Sequence, residues 1–147
     1  MVSAIIPYVD LTGTPAPPAT DSAYITGTFV AHGLLAADVG KPVRLTATSI
    51  QIWDDAADSI YLTGLLKAVV SANSVTIVLP GATIEFATAL LESTDVSTNG
   101  RWFYWDYSAG LYKCYAPTDA VHQMAIIEVL TIGGTNSTAI FNPTKAV

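Results

Sequence analysis

Asp54, Asp55 and Asp58 put three carboxylates into five residues, the densest group of candidate metal ligands in the chain. An EF-hand calcium loop turns on a Gly at its sixth position and closes on a Glu at its twelfth. Counted from Asp54, the sixth place lacks Gly and Leu65 fills the twelfth. The segment therefore reads as a solvated acidic turn, and no metal site is expected. His32 and His122 stand far apart in apolar neighbourhoods and read as structural histidines rather than a ligand or catalytic pair. Cys114, the sole cysteine, alternates with aromatic neighbours and reads as a buried thiol; no intrachain disulfide exists. The pairs Asp54/Asp58 and Asp106/Glu128 lack a spacing that would set two carboxyls across a glycosidic bond. Ser22, Ser108 and Ser137 lie in no nucleophile-elbow context. Without an adjacent acid, base and stabilising donor, no catalytic residue is assigned and no cofactor is expected.

The remaining chemistry is aromatic. Trp102, Phe103, Tyr104, Trp105, Tyr107, Tyr112 and Tyr115 bring seven rings into fourteen positions. Rings supply large buried areas and are enriched at protein interfaces. Exposed, they could stack on sugars, which would require Asp106 or Arg101 beside an exposed ring. The spacing predicts a hairpin, 101–107 and 111–115, turning through Ser108-Ala-Gly110. Trp102 and Tyr104 fall on one face, and Phe103, Trp105 and Tyr107 on the other. A half-solvated strand would alternate, so this one is expected to be covered on both faces, by core and by a second subunit. Trp102, Tyr104 and Trp105 are the candidate interface residues of the hairpin.

The elements that would position these rings are strands. Tyr24, Thr26, Thr28 and Val30 against Ile25, Gly27, Phe29 and Ala31 suit a first strand. In the stretch 30–46, Leu34, Leu35 and Val39 are expected to cap the end of a core. Asp38, Gly40 and Pro42 form the structural turn: Gly40 permits a positive φ, and Pro42 sets φ at about −65° at the strand entry. Val43, Leu45 and Ala47 alternate with Arg44, Thr46 and Thr48. Residues 50–53 form a short strand, and 60–70 and 75–79 a hairpin with the four-residue loop 71–74. Gly64 marks a bulge or a close backbone approach. Pro80-Gly81 turns into a strand over 83–86, and 86–92 is the one helical candidate. The last strands are 125–131 and 137–141, joined through Gly133-Gly134.

Residues 1–22 read as an extended arm. Pro7, Pro15, Pro17 and Pro18 oppose helix and interior strand, while Ile5, Ile6, Tyr8, Val9 and Leu11 are too apolar for a solvated tail. Residues 23–147 are read as a single β domain. Charged residues are 12% of the 147, about half the usual ~25%, so oligomerisation or docking on a larger body is expected. A net charge of −6 with six scattered Lys and Arg excludes nucleic-acid binding through phosphate neutralisation. No run of ~20 apolar residues exists for a membrane helix, and the start lacks the features of a signal peptide. Asn136-Ser-Thr138 is read as a turn rather than a glycosylation site.

Gly33-Leu-Leu-Ala-Ala-Asp-Val-Gly-Lys-Pro-Val-Arg-Leu-Thr46, followed by Asp58-Ser-Ile-Tyr-Leu-Thr-Gly-Leu65 and Ser74-Val-Thr-Ile-Val78, resembles the small head decoration (cement) proteins of tailed bacteriophages. Those proteins show an Asp-x-Gly-Lys-x-Val-x-Leu turn and strand. The resemblance covers about residues 30 to 86; the aromatic hairpin and residues 116–147 have no counterpart in it. It implies a small β-barrel or β-sandwich with at most one short helix, sitting as trimers on the outer surface of an expanded capsid and stabilising it. The expected partners are a second and third copy and the major capsid protein lattice. The expected location is the virion exterior, after synthesis in the host cytoplasm. A carbohydrate- or receptor-binding module, or another virion component of tail or head completion, is the alternative.

Overall fold

β-Branched and aromatic residues alternating with small polar ones build ten strands, which a computed structural model describes over residues 24–29, 31–55, 62–92, 102–115 and 124–145. Ile5, Ile6, Tyr8, Val9 and Leu11 of the expected arm lie outside the described residues, as do Arg101, Asp58 and His122. The strands are β1 (Tyr24–Thr28), β2 (Pro42–Leu45), β3 (Ile50–Ile52), β4 (Gly64–Ser71) and β5 (Ser74–Val78), then β6 (Thr83–Ala87), β7 (Trp102–Asp106), β8 (Leu111–Lys113), β9 (Met124–Thr131) and β10 (Asn136–Lys145). They pair in two five-stranded antiparallel sheets, ordered β1-β5-β4-β2-β3 and β6-β10-β9-β7-β8. The fold is an all-β sandwich, not a closed barrel, and the helical candidate at 86–92 is one 3-10 turn, Thr88–Leu90. A second such turn spans Ala36–Asp38.

The main core lies between the sheets. Leu65, Val78 and Trp53 from the first sheet meet Ile84, Phe86, Phe103, Trp105, Tyr112, Ile127 and Phe141 from the second. A bulge in β9 sets Phe103 opposite Ile127 and Tyr104 opposite Ala125, so the consecutive Ile126 and Ile127 are both fully buried. A second cluster covers the opposite face of the first sheet: Leu34, Val43, Ile50, Leu66, Val75 and Ile77, with Phe29 and Val69 against them. Each fully buried Leu, Ile or Phe contributes about 1.5–3 kcal/mol.

Several local expectations change for identifiable reasons. Leu34 enters the second cluster, but Leu35 is 65% exposed, because its N–H is held by the Asp38 carboxylate across the 3-10 turn. Leu45 is 46% exposed and Ala47 is exposed as well. Here β2 ends, since Thr46 bonds Ser49 through backbone and hydroxyl and reverses the chain into β3. The β4–β5 connection is tighter than four residues: Ser71 pairs with Ser74 around Ala72-Asn73. Gly64 is a close approach, where a Cβ would stand 2.5 Å from the Val78 carbonyl oxygen.

Among the described residues, three polar bonds from the aromatic hairpin help to clasp the sheets together. The Tyr112 hydroxyl donates to the Gly40 carbonyl at 2.6 Å, Trp105 Nε1 to the Trp53 carbonyl at 3.0 Å, and the Tyr107 amide to Asp55 Oδ1 at 2.9 Å. Gly40 has φ +98°, and a Cβ there would meet Phe86 Cβ at 2.6 Å and Leu90 Cδ1 at 3.0 Å. Gly40→Ala should therefore destabilise the protein by about 2–5 kcal/mol, combining left-handed strain with overpacking. Tyr112→Phe, which removes only the hydroxyl, should cost about 1–2 kcal/mol. Urea midpoints of the two variants against the parent check both values.

Candidate interaction surface

The structural turn works through its backbone. Asp38 Oδ2 accepts the Leu35 N–H at 2.9 Å and Oδ1 accepts Lys41 Nζ at 2.7 Å. Gly40 N–H donates to the Leu66 carbonyl, and Leu66 N–H to the Lys41 carbonyl, so the turn is stitched onto β4 before Pro42 opens β2. Burial alone would raise the Asp38 carboxyl, but the hydrogen bonds from Lys41 and Leu35 and the Lys41 charge outweigh it and hold it below the usual range. Asp38, Gly40 and Pro42 together position strands.

The hairpin divides its rings between two tasks. Phe103, Trp105 and Tyr112 are core, with the Trp105 and Tyr112 rings edge-on at 5.0 Å between centroids. This corrects the assignment of Trp105 as an interface residue: it is 2% exposed and its indole N–H is spent on Trp53. Of the two covers expected for β7, the core covers the inward face. Trp102 is 39% exposed and Tyr104 half-buried on the outward face, which no described residue covers over.

That outward face can be followed across the second sheet by register. Trp102 lies opposite Glu128, Glu128 opposite Ile140, and Ile140 opposite Thr83. Next to this row, Thr138 pairs with Glu85 on one side and with Thr131 on the other, and the two threonine hydroxyls share a hydrogen bond. Exposed Leu130 and Ile132 stand near one end of β9. Side chains that meet across a sheet in this way act as one patch.

Beside it lies a locked ion pair. Lys113 Nζ stands 2.9 Å from Asp106 Oδ2 and 4.0 Å from Glu92 Oε1, and 5.5 Å from the centre of the Tyr115 ring. Asp106 Oδ1 accepts from Ser108 Oγ at 2.7 Å and from the Ala109 amide at 3.0 Å. Burial would raise the Asp106 carboxyl, yet the Lys113, Ser108 and Ala109 hydrogen bonds and the Lys113 charge hold it below the usual range. The Asp106 hydrogen bond pushes Lys113 up, with burial opposing and Tyr115 and the nearby carboxylates adding to it. A lysine held protonated this way cannot supply the free amine that nucleophilic catalysis needs. The cluster fastens β7 to β8 and to the chain leaving the Thr88–Leu90 turn.

Other chemistry-bearing residues are committed elsewhere. Asp55 is 2% exposed and receives the Tyr107 amide, which corrects the solvated-turn reading at this residue. His32 is buried, its Nδ1 accepting the Leu34 amide at 2.9 Å, which leaves Nε2–H to donate to the Ser71 carbonyl at 2.7 Å. Burial pushes the Tyr112 hydroxyl well above its ordinary value and keeps it a donor. Ser137 Oγ shares a 2.7 Å bond with Thr88, whose hydroxyl also reaches the Gly133 carbonyl. Cys114 is partly buried and packs against the main core. Among the described residues no three His, Cys, Asp or Glu converge on a metal position. No described helix is long and apolar enough to cross a membrane. The arm residues Ile5, Ile6, Tyr8, Val9 and Leu11 fall outside what the structure describes. Compared with protein-family profiles, curated proteins and solved structures, the chain matches none of them.

Because Asp106 is depressed in the folded state, its stabilisation is fully present above the ordinary carboxylate value of about 3.9 and is lost as pH falls below it. Asp106→Asn should lower stability at pH 7 and flatten the loss of stability between about pH 4 and pH 2. Urea titrations of parent and variant at pH 7, 4 and 3 read that difference.

Proposed function

We propose that this chain is a non-enzymatic structural protein that docks on a larger assembly, as a capsid decoration protein docks on the outside of an expanded phage head. The observation that carries the reading is the outward face of the second sheet, where Trp102, Leu130 and half-buried Tyr104 and Ile140 face solvent. Large apolar side chains gathered on one open sheet face support an interaction site. The low charge of the whole chain supports the same reading. So does the resemblance of the segment 33–78, whose turn and strands form the frame of the first sheet. Docking many copies on a lattice lets modest contacts per copy add up to firm attachment. In this reading the partners are further copies, as trimers, and the capsid lattice; the place of action is the virion exterior.

The saccharide alternative has less support. Trp105 is core, and Asp106 is engaged by Lys113, Ser108 and Ala109, so neither offers itself to a sugar.

Purified protein sedimented with expanded heads that lack it should bind saturably, and decorated heads should survive heating better than bare ones. Absence of binding to intact expanded heads, with the protein folded, would overturn the proposal.

A further inference from the structure

Among the described side chains, the second sheet and its margin carry more carboxylates than cations. Four carboxylates belong to this sheet or its margin: Glu85 on β6, Glu92 after the 3-10 turn, Asp106 on β7 and Glu128 on β9. Against them, among the described side chains, stands Lys113, bound to Asp106 at 2.9 Å. The other described cations belong to the first sheet: Lys41 is paired with Asp38, Arg44 lies on β2 and Lys67 on β4. The patch therefore combines an exposed indole, a phenol and carboxylates, in a chain of net charge −6.

Its geometry is specific at one point. Trp102 and Glu128 are directly opposed in the β7–β9 register, so a carboxylate stands beside the one partly exposed indole among the described tryptophans. Trp53 and Trp105 are both buried. A guanidinium is planar, stacks on an indole face and bonds a carboxylate along its edge, so one arginine can satisfy both groups at once. Glu128 already has an interaction within the chain, but a carboxylate offers about four acceptor positions and can take a further donor. A second copy applied face to face would bring its own Glu85 and Glu128 against a face that already carries these carboxylates, and an anionic surface would be repelled.

We infer that this face docks a partner protein through a cationic side chain, an arginine stacked on Trp102 with its guanidinium against Glu128. The inference rests on the reading of the chain as a docking protein and adds the chemistry of what it docks to. Tryptophan, tyrosine and arginine dominate interface energetics, and an arginine on the partner completes that set with the two rings present here. The apolar neighbours Ile140 and Leu130 would keep water from the contact.

The test uses the full chain and a fluorescein-labelled tetra-arginine peptide, with binding followed by anisotropy at low salt. Trp102→Ala and Glu128→Gln should each weaken binding about tenfold while leaving the urea midpoint close to that of the parent. Trp102→Phe should retain part of the affinity, and a tetra-glutamate peptide should not bind. Equal binding by parent and both variants would assign the attraction to net charge and overturn the inference, as would no binding by the parent. The same variants sedimented with expanded heads separate the two ideas. Heads that bind parent and Trp102→Ala alike overturn the inference and leave the decoration reading standing. Heads that bind neither, with peptide binding still dependent on Trp102 and Glu128, overturn the decoration reading and leave the inference standing.

Discussion

The Tyr112 hydroxyl bonded to the Gly40 carbonyl holds the rest of the sandwich in place. Each sheet could pair its own strands alone, but nothing in a ladder of backbone bonds says where one sheet should sit on the other. Hydrophobic burial is non-directional and tolerates sliding. A buried donor and acceptor do not, because displacing either leaves a polar group unpaired in the core. At this contact one side is a glycine that no other residue can replace without striking Phe86, and the other is a hydroxyl kept protonated by its burial. The Trp105 and Asp55 bonds add two further directional contacts between the sheets.

This arrangement explains why a single strand carries both core and surface rings. β7 sends Phe103 and Trp105 inward and Trp102 and Tyr104 outward, and the Asp106–Lys113 pair ties its end to β8. The inward rings hold the strand rigid, so the outward ones are presented on a fixed platform. A surface ring on a rigid strand loses little freedom when it is covered, which lowers the ordering cost of docking. The division of labour lies within five residues.

The fold class, the ten-strand pattern and the turn at Asp38, Gly40 and Pro42 could be read from alternation and from Gly and Pro placement, because those signals are local. What escaped reading is set by distant partners. Leu35 and Val43 look equivalent in sequence, yet a carboxylate three residues away turns one outward while the sheet buries the other. Asp55 looks like part of a solvated acidic run until the Tyr107 amide, fifty-two positions on, is seen to take it inside. Alternation separates Trp102 from Trp105, but which of the two faces meets the core is decided by the opposing sheet and leaves no mark in the sequence of β7. The clasp residues were each noticed as turn or ring, and their meeting across the sandwich was not legible.

The separation of the clasping residues along the chain sets a rate as well as a position. Tyr112 and Gly40 are 72 residues apart, and the other two contacts span 52 each. Closing such long loops has a large entropic cost before any contact is made, and folds built on non-local pairings form slowly, in milliseconds to seconds. Interactions completed only after the folding barrier is crossed add their energy to the barrier for unfolding. A clasp that closes after that barrier lengthens the lifetime of the folded state more than it hastens its formation. If the domain docks as proposed, that lifetime governs how long the attachment lasts.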